Sequence, residues 1–175
     1  MVNKREIAHH EAGHAVIARV LGVEVEYATL ATLDGDLGQV LTRSAAHASP
    51  NDLVAYEKDA MVSLAGPLTQ AGYRYQHRKA SGPAWREEWN DDRRNAMNCL
   101  GMLFLRQRGE SITPGEVSFE GERAEAFERL YNDTHVKTVG LIADHWPAIE
   151  RVAEALRAGR LLSQANLDAL IAEGR

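Results

Sequence analysis

His10, Glu11 and His14 stand in a His-Glu-x-x-His array. On a helix, residues four apart project from one face about 6 Å apart, so two imidazoles in this spacing can share one zinc ion. Glu11 lies a fraction of a turn round, close enough to reach a water activated by the ion without ligating it. That makes Glu11 the candidate general base and His10 and His14 candidate metal ligands. Taken singly, each residue has an ordinary explanation, a hydrogen-bonded core histidine or a solvated glutamate. Their placement together inside one helix favours the metal.

A catalytic zinc takes a third protein ligand and keeps one position open. The positions three and six beyond His14 hold Ile17 and Val20, which excludes the longer metzincin pattern. About 20 residues beyond His14 the chain turns a hairpin at Asp34, a poor place for a ligand, and Glu57 is only a fallback. The better candidates are Asp91 and Asp92, at the start of a later helix. Asp92 precedes Ala96, Cys99, Leu100 and Leu103 at helical spacing, which points it to the buried side. Asp91 shares its phase with Asn95 and Asn98 and is accounted for by the preference of helix starts for acidic residues. Asp92 is the favoured ligand and Asp91 the alternative.

The elements that must hold these groups follow from spacing and punctuation. Lys4 to Leu21 carries Ile7, His10, His14, Ile17 and Leu21 three or four apart and stops before Gly22, which predicts a helix. Val23 to Leu33 and Leu37 to Thr42 flank Asp34-Gly35-Asp36 and predict an antiparallel hairpin. Ser49-Pro50 reads as a cap and first helical position for a helix bearing Leu53, Tyr56, Ala60, Leu64 and Leu68, which Gly66-Pro67 should kink or split. Tyr73 to Trp85 lacks periodicity and reads as a surface loop. Helices are expected over Asn90 to Arg108, through Phe127 to His145, over Pro147 to Ala158, and over Ser163 to Ala172. The class is mainly α with a small antiparallel hairpin. It forms one domain over residues 1–175, with a metal-site half at 1–108 and a helical half at 119–175.

Composition bounds the rest. The 175 residues are 45% hydrophobic, enough for one domain to fold without staples, and the single cysteine, Cys99, can form neither an internal disulfide nor a thiolate metal site. A net charge of −5 argues against a general nucleic-acid binder. The basic and aromatic run of Arg74, Arg78, Lys79, Arg86, Arg93 and Arg94 with Tyr73, Tyr75, Trp85 and Trp89 is diluted by Glu87, Glu88, Asp91 and Asp92. No apolar stretch is long enough to span a membrane and no secretory signal pattern is present, so a cytoplasmic protein is expected. His9, His47, His77, His135 and His145 are not required as ligands.

The run His10-Glu11-Ala12-Gly13-His14-Ala15 resembles the signature of the zinc peptidase domain of FtsH-type ATP-dependent metalloproteases. Leu64-Ala65-Gly66 is similar to a motif in that family's following helix, Leu37-Gly38-Gln39-Val40 to its Leu-Gly strand, and Asn90-Asp91-Asp92 to the helix start whose aspartate supplies the third zinc ligand. The resemblance implies a FtsH peptidase-like fold, bound zinc, and hydrolysis of unfolded or extended polypeptide. Gly38, Gln39 and Val40 would then line the substrate, which adds to the hairpin edge. Two departures are Pro67 and the insert-like segment Tyr73 to Trp89. The sequence also holds no G-x-x-x-x-G-K-[ST] phosphate loop, so unfolding is expected to come from a separate unfoldase or not at all. A homo-oligomer is compatible with the sequence. The competing expectation is a zinc-binding interaction module without turnover.

Overall fold

The computed structural model describes residues 3–31, 38–49, 51–78, 89–110 and 119–173. Helix α1, Lys4–Val20, begins where the Asn3 side chain accepts a hydrogen bond from the Arg5 N–H and ends before Gly22, whose φ of 75° lets the chain reverse. Strand β1, Glu24–Thr29, pairs antiparallel with β2, Gln39–Arg43. The expected Asp34-Gly35 turn lies outside the described residues. A short helix α2, Ala45–Ala48, precedes α3, Leu53–Arg78, and α4, Asn90–Gln107. Helices α5, Glu122–Asp144, and α6, Trp146–Arg157, lead to a two-residue strand β3, Leu162–Ser163, and to α7, Gln164–Ala172.

The protein is mainly helical with a three-stranded antiparallel sheet in the order β2-β1-β3. The third strand extends the expected hairpin: Tyr27 and Ala28 of β1 pair with Ser163 and Leu162. Among the described residues no helix is long and apolar enough to cross a membrane.

Helix α1 is buried on most of its circumference. Ala8, Ala12, Ala15, Val16, Ile17 and Ala18 are fully enclosed, and they join Ile149, Val152 and Leu156 of α6, Leu162 and Leu167 in one apolar cluster. A second cluster forms around Ala55, Tyr56 and Ala60 of α3 with Leu100 and Leu103 of α4. Small residues let α1 approach α3 closely. A Cβ at Gly13 would stand 2.4 Å from the Thr69 hydroxyl and 2.7 Å from the Ala65 carbonyl oxygen.

Three expected boundaries change. Pro67 lies inside a continuous α3 instead of dividing it. The helix also runs through Tyr73 to Arg78, the first part of the expected loop, because Tyr73 is buried and stacks on His9 of α1 with ring centroids 3.9 Å apart. The rest of that loop, from residue 79, lies outside the described residues. Ser49 ends α2 and does not cap α3; Pro50 lies outside the described residues, and the Asp52 carboxylate takes the capping role by accepting from the Val54 N–H at 2.9 Å. Asp59, two turns further along, accepts from the Ser44 hydroxyl and from the Ala45 and Ala46 N–H groups, anchoring the start of α2.

Candidate metal centre

His10 and His14 project from α1 toward the start of α4, where Asp92 meets them. One ligand atom from each of the three lies within 4.8 Å of the others. Asp92 Oδ2 is 3.1 Å from His10 Nε2, Asp92 Oδ1 is 3.4 Å from His14 Nε2, and the two Nε2 atoms are 3.0 Å apart.

The outward faces of both rings decide what the inward faces offer. His14 Nδ1 is 2.7 Å from the Val62 carbonyl oxygen, which can only accept, so Nδ1 carries the proton. His10 Nδ1 is 3.0 Å from Gln70 Oε1, and that same oxygen accepts from the Trp89 indole N–H at 2.7 Å. An indole nitrogen only donates, so the atom is the amide oxygen and His10 Nδ1 also carries its proton. The neutral rings therefore turn two bare Nε2 lone pairs toward a carboxylate. Three acceptors at this range repel unless a positive charge stands among them. Without a metal a proton supplies it: burial disfavours the charged ring, but the Asp92 carboxylate outweighs that and pushes His14 up to about 9. Against the same cost of burial, the His14 and His10 rings hold Asp92 well below the usual carboxylate range.

Glu11 is 8% exposed and is not one of the converging ligand atoms. Burial raises its carboxyl above the ordinary range, and the neighbouring rings only partly offset this. It lines a cleft of about 240 Å³ with His10, His14, Asp92, Asn95 and residues of β2 and α3.

The other expected site residues divide. Val40 lines this cleft, as does Thr42 on the same strand, which the sequence alone did not single out. Gly38 is close to the site for another reason than substrate approach: a Cβ there would stand 2.7 Å from Glu11 Cγ, so its bareness makes room for the glutamate. Gln39 is exposed, and its amide oxygen accepts from the Tyr27 hydroxyl at 3.0 Å. The Asp91 side chain is 82% exposed and pairs with Arg94, against 21% for Asp92. Glu57 pairs with Lys137 at 2.6 Å and is not part of the cluster; Asp34 lies outside the described residues. Tyr73 and Trp89 are buried and offer no open stacking face to a nucleic acid.

Sequence reasoning missed Gln70, Trp89 and the true use of Gly66. A Cβ at Gly66 would come within 2.2 Å of His14 Nε2. No signal in the linear spacing marks Gln70 or Trp89. The Gly66-Pro67 pair was visible as a helix irregularity, but only the packing of α1 on α3 shows that it admits an imidazole. No protein-family model and no curated protein matches the chain.

Proposed function

We propose that the chain is a zinc-dependent metallopeptidase, built like the zinc peptidase domain of FtsH-type proteases, that hydrolyses peptide bonds in unfolded or extended polypeptides. What carries this is the convergence of two Nε2 lone pairs and one carboxylate on a single point, with both outward Nδ1 protons committed elsewhere. Two imidazole nitrogens and a carboxylate oxygen are a donor set that suits zinc and leaves a coordination position free. His10, His14 and Asp92 would hold the ion. When bound, zinc supplies Lewis acidity toward water and the scissile carbonyl.

The protein's own groups do the rest. Glu11, a carboxylate of raised pKa beside the ligands, accepts a proton from the attacking water as the new C–O bond forms. It returns that proton to the amide nitrogen as the C–N bond breaks. β2 is an edge strand of the described sheet, so an extended substrate can pair with its free main-chain groups beside Val40 and Thr42. Such pairing reads backbone more than side chains and favours segments that are not folded.

Metal analysis and casein cleavage test the proposal together. Zinc-loaded wild type and Asp91→Ala are expected to retain stoichiometric metal and to degrade casein, whereas Asp92→Ala loses both. Equal metal retention by Asp91→Ala and Asp92→Ala would remove Asp92 from the site. A second reading, an interaction module that binds zinc without turnover, is favoured by Val136 and Val139, 68% and 44% exposed on α5. Full metal with no casein cleavage would select it.

Gln70 gives a further expectation. Its oxygen fixes the tautomer and tilt of His10, and removing such a support lowers metal affinity by about 10–100-fold. Competition with a chromophoric chelator should show that loss for Gln70→Ala, and a smaller one for Trp89→Phe, which leaves Gln70 in place without its indole donor.

A further inference from the structure

Hydrolysis of an amide places negative charge on the carbonyl oxygen as water adds, and a donor fixed in advance at that position is among the strongest contributions a site can make. The cleft beside His10 and His14 has few such donors. Its imidazoles present acceptors inward, Glu11 and Asp92 are carboxylates, Val40 and Val62 are apolar, and neither Lys, Arg nor Tyr is among the described residues lining it. The Ser63 hydroxyl is committed to the Asp59 carbonyl oxygen at 3.0 Å. Thr42 and Asn95 remain.

Position separates these two. Thr42 stands on β2, along which an extended substrate would pair. In such a pairing the carbonyls bonded to β2 are occupied, and those of alternate residues point away from it. A carbonyl free to react therefore faces away from Thr42's strand, and its donor must come from another wall of the cleft. Asn95, on α4 one turn beyond Asp92, lines the cleft from such a wall. Its side chain is exposed and makes no hydrogen bond to another described residue. We infer that Asn95 is a catalytic residue of this site, its carboxamide N–H donating to the carbonyl oxygen of the scissile peptide as that oxygen gains charge. The inference rests on the peptidase function proposed above. The proton movements stay as assigned to Glu11, and Asn95 donates a hydrogen bond without giving up its proton.

The test uses the zinc-loaded full chain. Asn95→Ala and Asn95→Asp, the latter a near-isosteric change that removes the N–H donor, are compared with wild type, Glu11→Gln and Asn98→Ala, a change at an exposed residue of α4 outside the cleft lining, on an extended peptide substrate. Removing one such donor lowers kcat by about 10²–10³-fold. The expected result is that loss in both Asn95 variants with KM and zinc content unchanged, and little effect of Asn98→Ala. Calorimetry gives a second readout free of turnover. A phosphinic peptide, which mimics the tetrahedral geometry, should lose affinity for Asn95→Ala by a similar factor, while an uncleaved product peptide binds as before. Wild-type kcat and phosphinic-peptide affinity in Asn95→Ala would overturn the proposal and leave the peptidase function standing, as would a loss confined to KM. Wild type no faster than Glu11→Gln would remove the peptidase function and this proposal with it.

Discussion

Glu11→Gln is expected to lower kcat by about 10²–10⁴-fold, the usual contribution of a positioned general base, while the zinc content stays at the wild-type level. The amide has the shape of the carboxyl it replaces, so it fits the space that Gly38 leaves open, and Glu11 is outside the set of converging ligand atoms. The change also removes a carboxylate that is 8% exposed and whose burial is costly. The thermal midpoint should therefore hold or rise. This combination, lost turnover with retained metal and undiminished stability, distinguishes a missing base from a damaged fold. Mass spectrometry of the native protein, peptide turnover and a melting curve measure all three. Retained turnover would take Glu11 out of the chemistry.

Gly66→Ala is expected to weaken metal binding by at least about 100-fold, the upper end of what disturbing a ligand's support costs, although residue 66 offers no ligand atom. The added methyl would stand 2.2 Å from His14 Nε2 and 2.6 and 2.7 Å from its neighbouring ring carbons. The ring cannot retreat without breaking its 2.7 Å bond to the Val62 carbonyl oxygen. Moving α3 away instead would open the close packing of its Ala65 carbonyl and Thr69 side chain over Gly13 of α1. Overpacking of this kind costs about 1–3 kcal/mol of stability. Gly101→Ala is the control. The same methyl in the interior of α4 meets nothing within 4 Å and replaces a residue that weakens helices by roughly 0.5–1 kcal/mol, so stability should hold or rise with metal binding unchanged. Chelator competition and urea unfolding of the two variants separate a local clash from a general intolerance of alanine. Undisturbed metal affinity in Gly66→Ala would show that His14 does not need that space.

How much of this was legible in the linear sequence depends on whether a signal is local. The ends of α1 are, since Asn3 and Gly22 act on the backbone beside them. The facing of Asp92 is also local, because the periodicity of α4 alone separates it from Asp91. What could not be read depends on distant segments. Strand β3 is two residues that become a strand only by pairing with Tyr27 and Ala28. Tyr73 to Arg78 has the composition of a loop, yet stacking of Tyr73 on His9 keeps it helical. The burial of α1 on most sides exceeds what one amphipathic stripe suggests, because sheet and helices enclose it. Gly38, Gly66 and Gln70 owe their parts in the site to residues between 27 and 60 positions away, where no spacing rule reaches.

The ligands come from both sides of a division in the interior. His10 and His14 belong to the helix at the centre of one apolar cluster, and Asp92 to the helix that forms the other with α3. An ion gripped by all three acts as a clasp across that seam, and at one hundred times its dissociation constant it would add about 2.7 kcal/mol to the folded state. Starvation for metal would then silence the site and loosen the join between the two halves of the interior in the same event, tying the protein's lifetime to its supply of the ion.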